Sequence, residues 1–159
     1  NIISMKTTLF ILMVLTMLYA CGSGQTVASD AVVASTSDLN ANSSYDPERG
    51  EGKFTNVEVP SAINEKLAHA GTKVYEVKCS PCHKLSAEKL VGPGWKGVTE
   101  RFKPEWIMNF VTNTDAMLNK DPKAQAQLEI CLVRMPNQNV SDEDARNVYE
   151  FMRKNDSKK

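Results

Sequence analysis

The chain has no long apolar run. Its most hydrophobic stretch, Leu9–Ala20, is twelve residues, well short of the roughly 20 that a membrane-crossing helix needs. It also has no charge imbalance. Nineteen Lys and Arg stand against nineteen Asp and Glu, so the whole chain offers no field that would recruit nucleic acid. Residues 61–159 hold 16 basic against 13 acidic side chains, too small an excess to name a partner. No convincing period-2 alternation follows Ser61, and no internal repeat shows, which argues against a sheet or a solenoid. Cysteine is sparse: Cys21, Cys79, Cys82 and Cys131. Their placement does not suit a disulfide scaffold. Cys21 ends a hydrophobic leader, Cys79 and Cys82 form a tight pair, and Cys131 is left alone. No second pair exists, so a four-ligand zinc site lacks donors. A thioredoxin-like pair would need a βαβ context that is also missing.

What is present begins with an export signal. Asn1–Ser4 read as lying upstream of a start at Met5. Lys6 supplies a positive charge, and Leu9–Ala20 has the length of a secretory hydrophobic region. It ends in Leu18-Tyr19-Ala20-Cys21, which resembles the lipobox of bacterial lipoproteins. That resemblance implies residues 1–20 as a signal peptide, cleavage before Cys21, and lipidation of Cys21. Several acyl chains on one residue anchor stably, where one does not. The alternative is ordinary signal cleavage with Cys21 a bystander. The expected location is the bacterial cell envelope on the periplasmic side, held to the inner or outer membrane through the lipid.

Residues 21–60 are rich in Ser, Ala, Asn, Asp, Thr and Gly. Such a composition buries too little surface to offset its ordering entropy, so this segment is expected to be a disordered linker. A flexible chain of this length reaches roughly 35 Å. From Ser61 the signals are helical. Ile63, Leu67, Ala70, Val74 and Val77 form one stripe, with Gly71 and Tyr75 beside it. Pro104 opens a second helix carrying Trp106, Ile107, Phe110 and Val111. Asp121-Pro122 caps a third, with Ala124, Leu128, Cys131 and Leu132 inward. Ser141 caps the last, whose first turn holds Asp142, Glu143 and Asp144 and whose apolar face is Ala145, Val148, Tyr149 and Met152. Thr112–Lys123 reads as a polar loop. The expected fold is all-α, a small helical domain over 61–159.

The chemistry sits at Cys79-Ser80-Pro81-Cys82-His83. Cys-x-x-Cys-His is the pattern of c-type haem attachment. On a helical turn, thiols at i and i+3 emerge on one side and can reach the two vinyl groups along one porphyrin edge. The next residue, turned by about 100°, can bring its imidazole under the iron. Covalent attachment also compensates for a core too small to enclose a large cofactor unaided.

With these residues in place the chain resembles the class I c-type cytochromes. The matching stretch runs from Gly71-Thr-Lys-Val-Tyr75 through Cys79–His83, Val91-Gly-Pro-Gly-Trp-Lys-Gly97 and Met135-Pro136 to the last helix, or residues 65–155. The resemblance implies one covalent haem c and an N-terminal helix crossing the C-terminal one, Gly71 and Tyr75 meeting residues near Val148, Tyr149 and Met152. It implies that the Pro93 carbonyl accepts the Nδ1 proton of His83, fixing the tautomer; a plain Gly-Pro-Gly turn is the alternative. Of the sixth-ligand candidates, His69 lies ten residues before Cys79 on the same helix and cannot readily fold over the far haem face. Met108, Met117 and Met152 fall on or near helices, where packing is the ordinary role. Met135 precedes a proline in a loop, and family spacing points to it. His83 and Met135 are therefore the expected iron ligands. Trp95 lines the crevice, meets a propionate or is plain core; Cys131 is a buried inert thiol, with redox sensing or dimerisation as the other uses.

His/Met ligation raises the reduction potential and fills the coordination shell, which suits outer-sphere electron transfer. The expected role is a carrier between membrane respiratory complexes and periplasmic or membrane-bound acceptors. The alternative is a fixed haem subunit of a larger respiratory or reductase complex. An enzyme such as a small peroxidase wants an open iron position and is not expected.

Overall fold

A computed structural model describes residues 45–158. Six helices follow one another: α1 (Glu65–Val74), continued by a π-helical turn (Tyr75–Cys79), α2 (Val98–Arg101), α3 (Pro104–Thr112), α4 (Thr114–Lys120), α5 (Pro122–Cys131) and α6 (Asp142–Asp156). Among the described residues the only ladder pairing is an isolated bridge between His83 and Lys89. The fold is all-α.

The helices start where local chemistry satisfies their first amides. Asn64 caps α1 by accepting from the Leu67 N–H at 3.1 Å. Asp121 caps α5 through the Ala124 N–H at 2.7 Å, and Ser141 caps α6 through that of Asp144 at 3.1 Å. α1 and α6 cross at Gly71. A Cβ there would lie 2.1 Å from the Asn147 carbonyl oxygen and 2.8 Å from Phe151 Cβ, so only glycine lets the backbones meet. Tyr75 extends the seam, its ring 5.2 Å from that of Phe151. The partners of Gly71 are thus Asn147 and Phe151, one position off the expected Val148, Tyr149 and Met152. Glu150, fully buried beside this seam, accepts from Arg146 (2.6 Å), Arg153 (2.7 Å) and the Asn64 N–H (2.9 Å), so its charge is fully partnered.

Three expectations change. Val77 leaves the α1 stripe and is 77% exposed. The π turn, marked by the Ser80 N–H bonding to the Tyr75 carbonyl at 2.8 Å, inserts a residue and puts Cys79, not Val77, on the buried side. Leu132 is 84% exposed, because it ends α5 in the left-handed conformation at φ 59° and so turns away from the helix face. Thr112–Lys123 is not a plain loop: it contains α4, which buries Thr114, Met117 and Leu118. Seven residues are too few for periodicity to reveal.

A fourth change concerns the linker. Its residues up to 44, with the signal and Cys21, lie outside the described residues. Residues 45–60 are ordered against the domain. Buried Asn109 donates to the carbonyls of Arg49 and Phe54 and accepts the Phe54 N–H, all at 2.9 Å. Glu105 accepts the Val57 N–H at 2.7 Å, and Tyr45 donates its hydroxyl to buried Asp121, which also accepts from Trp106 Nε1 at 3.0 Å. Gly50, at φ 69°, lies where a Cβ would come 2.5 Å from Met117 Cε. Phe54, Val57 and Val59 pack on the core. The segment's backbone is satisfied by Asn109 and Glu105 of α3 and its Tyr45 hydroxyl by Asp121, the cap of α5, so composition alone does not show its order.

Candidate functional site

The π turn delivers Cys79 to the inner wall of a crevice, and the chain folds back at once. The N–H groups of Cys82 (3.0 Å) and His83 (2.9 Å) both bond to the Cys79 carbonyl. Tyr75 donates its hydroxyl to the His83 carbonyl at 2.7 Å, tying the turn to α1. Cys79 and Cys82 are unpaired thiols, and both line the same crevice as His83. Burial pushes the Cys79 thiol up to about 11, against a smaller pull from the Lys78 ammonium, so it is a neutral thiol at neutral pH.

His83 is oriented from behind. Its Nδ1 lies 2.8 Å from the Pro93 carbonyl oxygen. That oxygen can only accept, so Nδ1 carries the proton and Nε2 keeps a free lone pair. Burial lowers the imidazole pKa, opposed by the Pro93 contact, and the ring stays neutral. The Gly92 N–H bonds to the Cys82 carbonyl at 2.9 Å, and a Cβ on Gly92 would strike His83 Cε1 at 2.4 Å. The close seat of the ring therefore requires glycine next to Pro93. Trp95 is buried with its ring 5.6 Å from His83 and 5.0 Å from Tyr75. It lines the crevice and braces the imidazole.

The other walls draw on all six helices and a loop. Ile107 and Val111 stand on α3, Leu128 and Cys131 on α5, and Met152 on α6. Met135, partly buried, lines the crevice from the loop after α5. Two methionines thus reach the crevice, one from a loop and one from a helix interior. His69 is exposed on α1 and is not among the lining residues. Met108 and Met117 are buried core. Cys131 is buried, as expected, and it also faces the crevice.

The sequence places Trp106 and Phe110 on one helix face but leaves out Phe102, their partner in one wall. Phe102, Trp106 and Phe110 stack face to face, with centroids 4.0 and 5.2 Å apart and planes within 14° and 4°; all three line the crevice. Their i, i+4, i+8 spacing was a usable signal. Phe102 falls before Pro104 and outside the helix, which hid it.

This arrangement fits a flat apolar macrocycle. Two reduced thiols, a neutral imidazole with Nε2 free and a wall of aromatic and aliphatic side chains open onto one space. Among the described residues no three His, Cys, Asp or Glu side chains gather to hold a bare metal ion; the donors suit a metal that brings its own equatorial ligands.

Comparison with known proteins agrees. The cytochrome c family model matches residues 68–156, more than half of the chain. Cytochrome c from Rhodothermus marinus is 28% identical, covers 68% of this chain and 92% of its own, and superposes with a TM-score of 0.65. An engineered form of that cytochrome, Rma TDE, is also 28% identical, with 70% and 98% covered and a TM-score of 0.66. The same engineered protein bound to a carbene intermediate gives 0.63. No curated protein matches the chain. The chain therefore belongs to the cytochrome c family, as a haem electron-transfer protein with one covalently attached haem c.

Proposed function

We propose that this chain is a single-haem carrier in which Cys79 and Cys82 would hold the haem through thioethers and His83 and Met135 would ligate its iron. The observation that carries this reading is that all four side chains line one apolar crevice, with the Pro93 carbonyl leaving His83 Nε2 free. Haem c supplies a one-electron couple. The protein's part would be to offer His83 and Met135 as ligands and to keep water out with the apolar walls, which suits outer-sphere electron transfer. Soft thioether sulfur favours the ferrous state, and His/Met ligation places the potential above that of His/His.

Electrons would pass at the crevice mouth, where Val91 and Val133 lie in the lining and Leu90, Ile130 and Leu132 are exposed next to them. An apolar patch flanked by Lys89, Arg101 and Arg134 suits brief contact with redox partners, here membrane respiratory complexes and periplasmic or membrane-bound acceptors. Cys21 would carry the lipid that keeps the carrier at the envelope. Cys21→Ser is expected to release the protein from the membrane fraction; unchanged retention removes the anchor.

The test of the ligand set is a pair of spectra. The wild-type holoprotein should show the thioether-to-iron charge-transfer band when oxidised and bind carbon monoxide slowly when reduced. Met135→Ala should lose the band and bind carbon monoxide rapidly. Persistence of the band in that variant removes Met135 from the iron.

A further inference from the structure

The loop that carries Met135 runs from Leu132 to Val140 without regular structure, and two of its residues, Leu132 and Asn139, have positive φ. Such a loop does not hold its own shape. It is fastened on either side of Met135. On one side Arg134 reaches back to α4, donating to Asp115 (3.0 Å) and Asn119 (3.1 Å); this contact is exposed and open to screening. On the other side, partly buried Lys78 donates its ammonium to two successive carbonyls, Gln138 at 3.0 Å and Asn139 at 3.1 Å. An Asx turn, in which Asn137 Oδ1 accepts the Asn139 N–H at 2.8 Å, presents those carbonyls.

Lys78 is the residue before Cys79, inside the π turn. The group that fastens the distal loop and the thiol that fixes the cofactor therefore share one rigid backbone segment. Both Lys78 and Gln138 line the crevice. The π turn explains the reach, since it rotates residues 77–79 relative to a regular helix. The geometry points to Lys78 as a positioning residue that latches the Met135 loop against the haem-attachment turn and so keeps the sixth ligand on the iron. This rests on Met135 being that ligand.

Opening of the loop is a local unfolding step, and ligands that compete with Met135 bind only when it opens. Losing both Lys78 hydrogen bonds, one of them exposed, raises the open population by about tenfold or more. The test uses holoprotein variants with equal covalent haem content and equal far-ultraviolet circular dichroism. Lys78→Met keeps the aliphatic stem and removes the donors. It is expected to bind imidazole about tenfold more tightly in the ferric state, to bind carbon monoxide about tenfold faster in the ferrous state, and to lose intensity in the thioether band. Lys78→Arg, which can fork to both carbonyls, should stay close to wild type. Lys84→Met removes a neighbouring exposed lysine that pairs with Glu88 instead, and should change nothing. Lys78→Met matching wild type in ligand binding and band intensity, while Met135→Ala differs from both, overturns the latch alone. Met135→Ala matching wild type overturns the ligation reading and the latch with it.

Discussion

Replacing Gly71 with alanine puts one methyl group into the crossing of α1 and α6, and two effects of opposite sign compete. Alanine is the better helix former by about 1 kcal/mol, so in an exposed helix the change would stabilise. Here the new Cβ meets the Asn147 carbonyl oxygen at 2.1 Å, the Asn147 carbonyl carbon at 2.6 Å and Phe151 Cβ at 2.8 Å. Two of those atoms are backbone and cannot swing aside. Ordinary contact begins near 3.4 Å, so the helices must separate by about 1 Å, loosening the Tyr75–Phe151 contact and the seat of fully buried Ala68. Overpacking of this kind costs up to about 3 kcal/mol. The net expectation is a loss of about 2 kcal/mol, or roughly 10 °C in the midpoint of a domain this size. Equilibrium guanidinium unfolding of the holoprotein, followed by far-ultraviolet circular dichroism, measures it. A variant as stable as wild type, or more so, would show that the crossing has slack and that glycine is not required there.

Two further expectations are simpler. Burial, and then its hydrogen bond to Asp121, hold the Tyr45 phenol well above its ordinary value of 10. The folded state therefore resists an ionisation that the unfolded chain accepts, and the stability this contributes is intact below pH 10 and lost as pH rises past it. Tyr45→Phe should flatten the decline of stability above pH 10, measured by denaturant midpoints, and an unchanged slope would refute the linkage. Self-exchange between oxidised and reduced copies, read from NMR line widths, should quicken about threefold or more between roughly 0.01 and 0.2 M salt, because Lys89, Arg101 and Arg134 flank the apolar rim and would repel the same groups on a second copy. Val133→Lys should slow the exchange and steepen its salt dependence, whereas a wild-type rate that does not change with salt would show that the apolar residues alone govern the contact.

Much of the molecule was legible in the sequence because its causes are local. The attachment motif is five consecutive residues. Asp121 and Ser141 cap helices three residues downstream, and Pro104 opens α3 at its first position, while the Pro93 carbonyl beside His83 was implied only by the family resemblance. Interactions over such distances leave a readable spacing. What only the tertiary structure decided depends on partners far along the chain. Residues 45–60 are held by Asn109, Glu105 and Asp121, 48 to 76 positions away, and a polar segment ordered by distant polar side chains has the composition of a linker. The π turn at Tyr75–Cys79 is chosen by what its residues must meet, Trp95 and Phe151 on one side and the Gln138–Asn139 carbonyls on the other. Periodicity assumes a constant 3.6-residue turn, so it misplaced Val77 and left Lys78 unread. The sequence by itself determined the cofactor and four of the helices around it, α1, α3, α5 and α6; the tertiary structure decided the short α2 and α4 and which backbone the remaining polar groups hold.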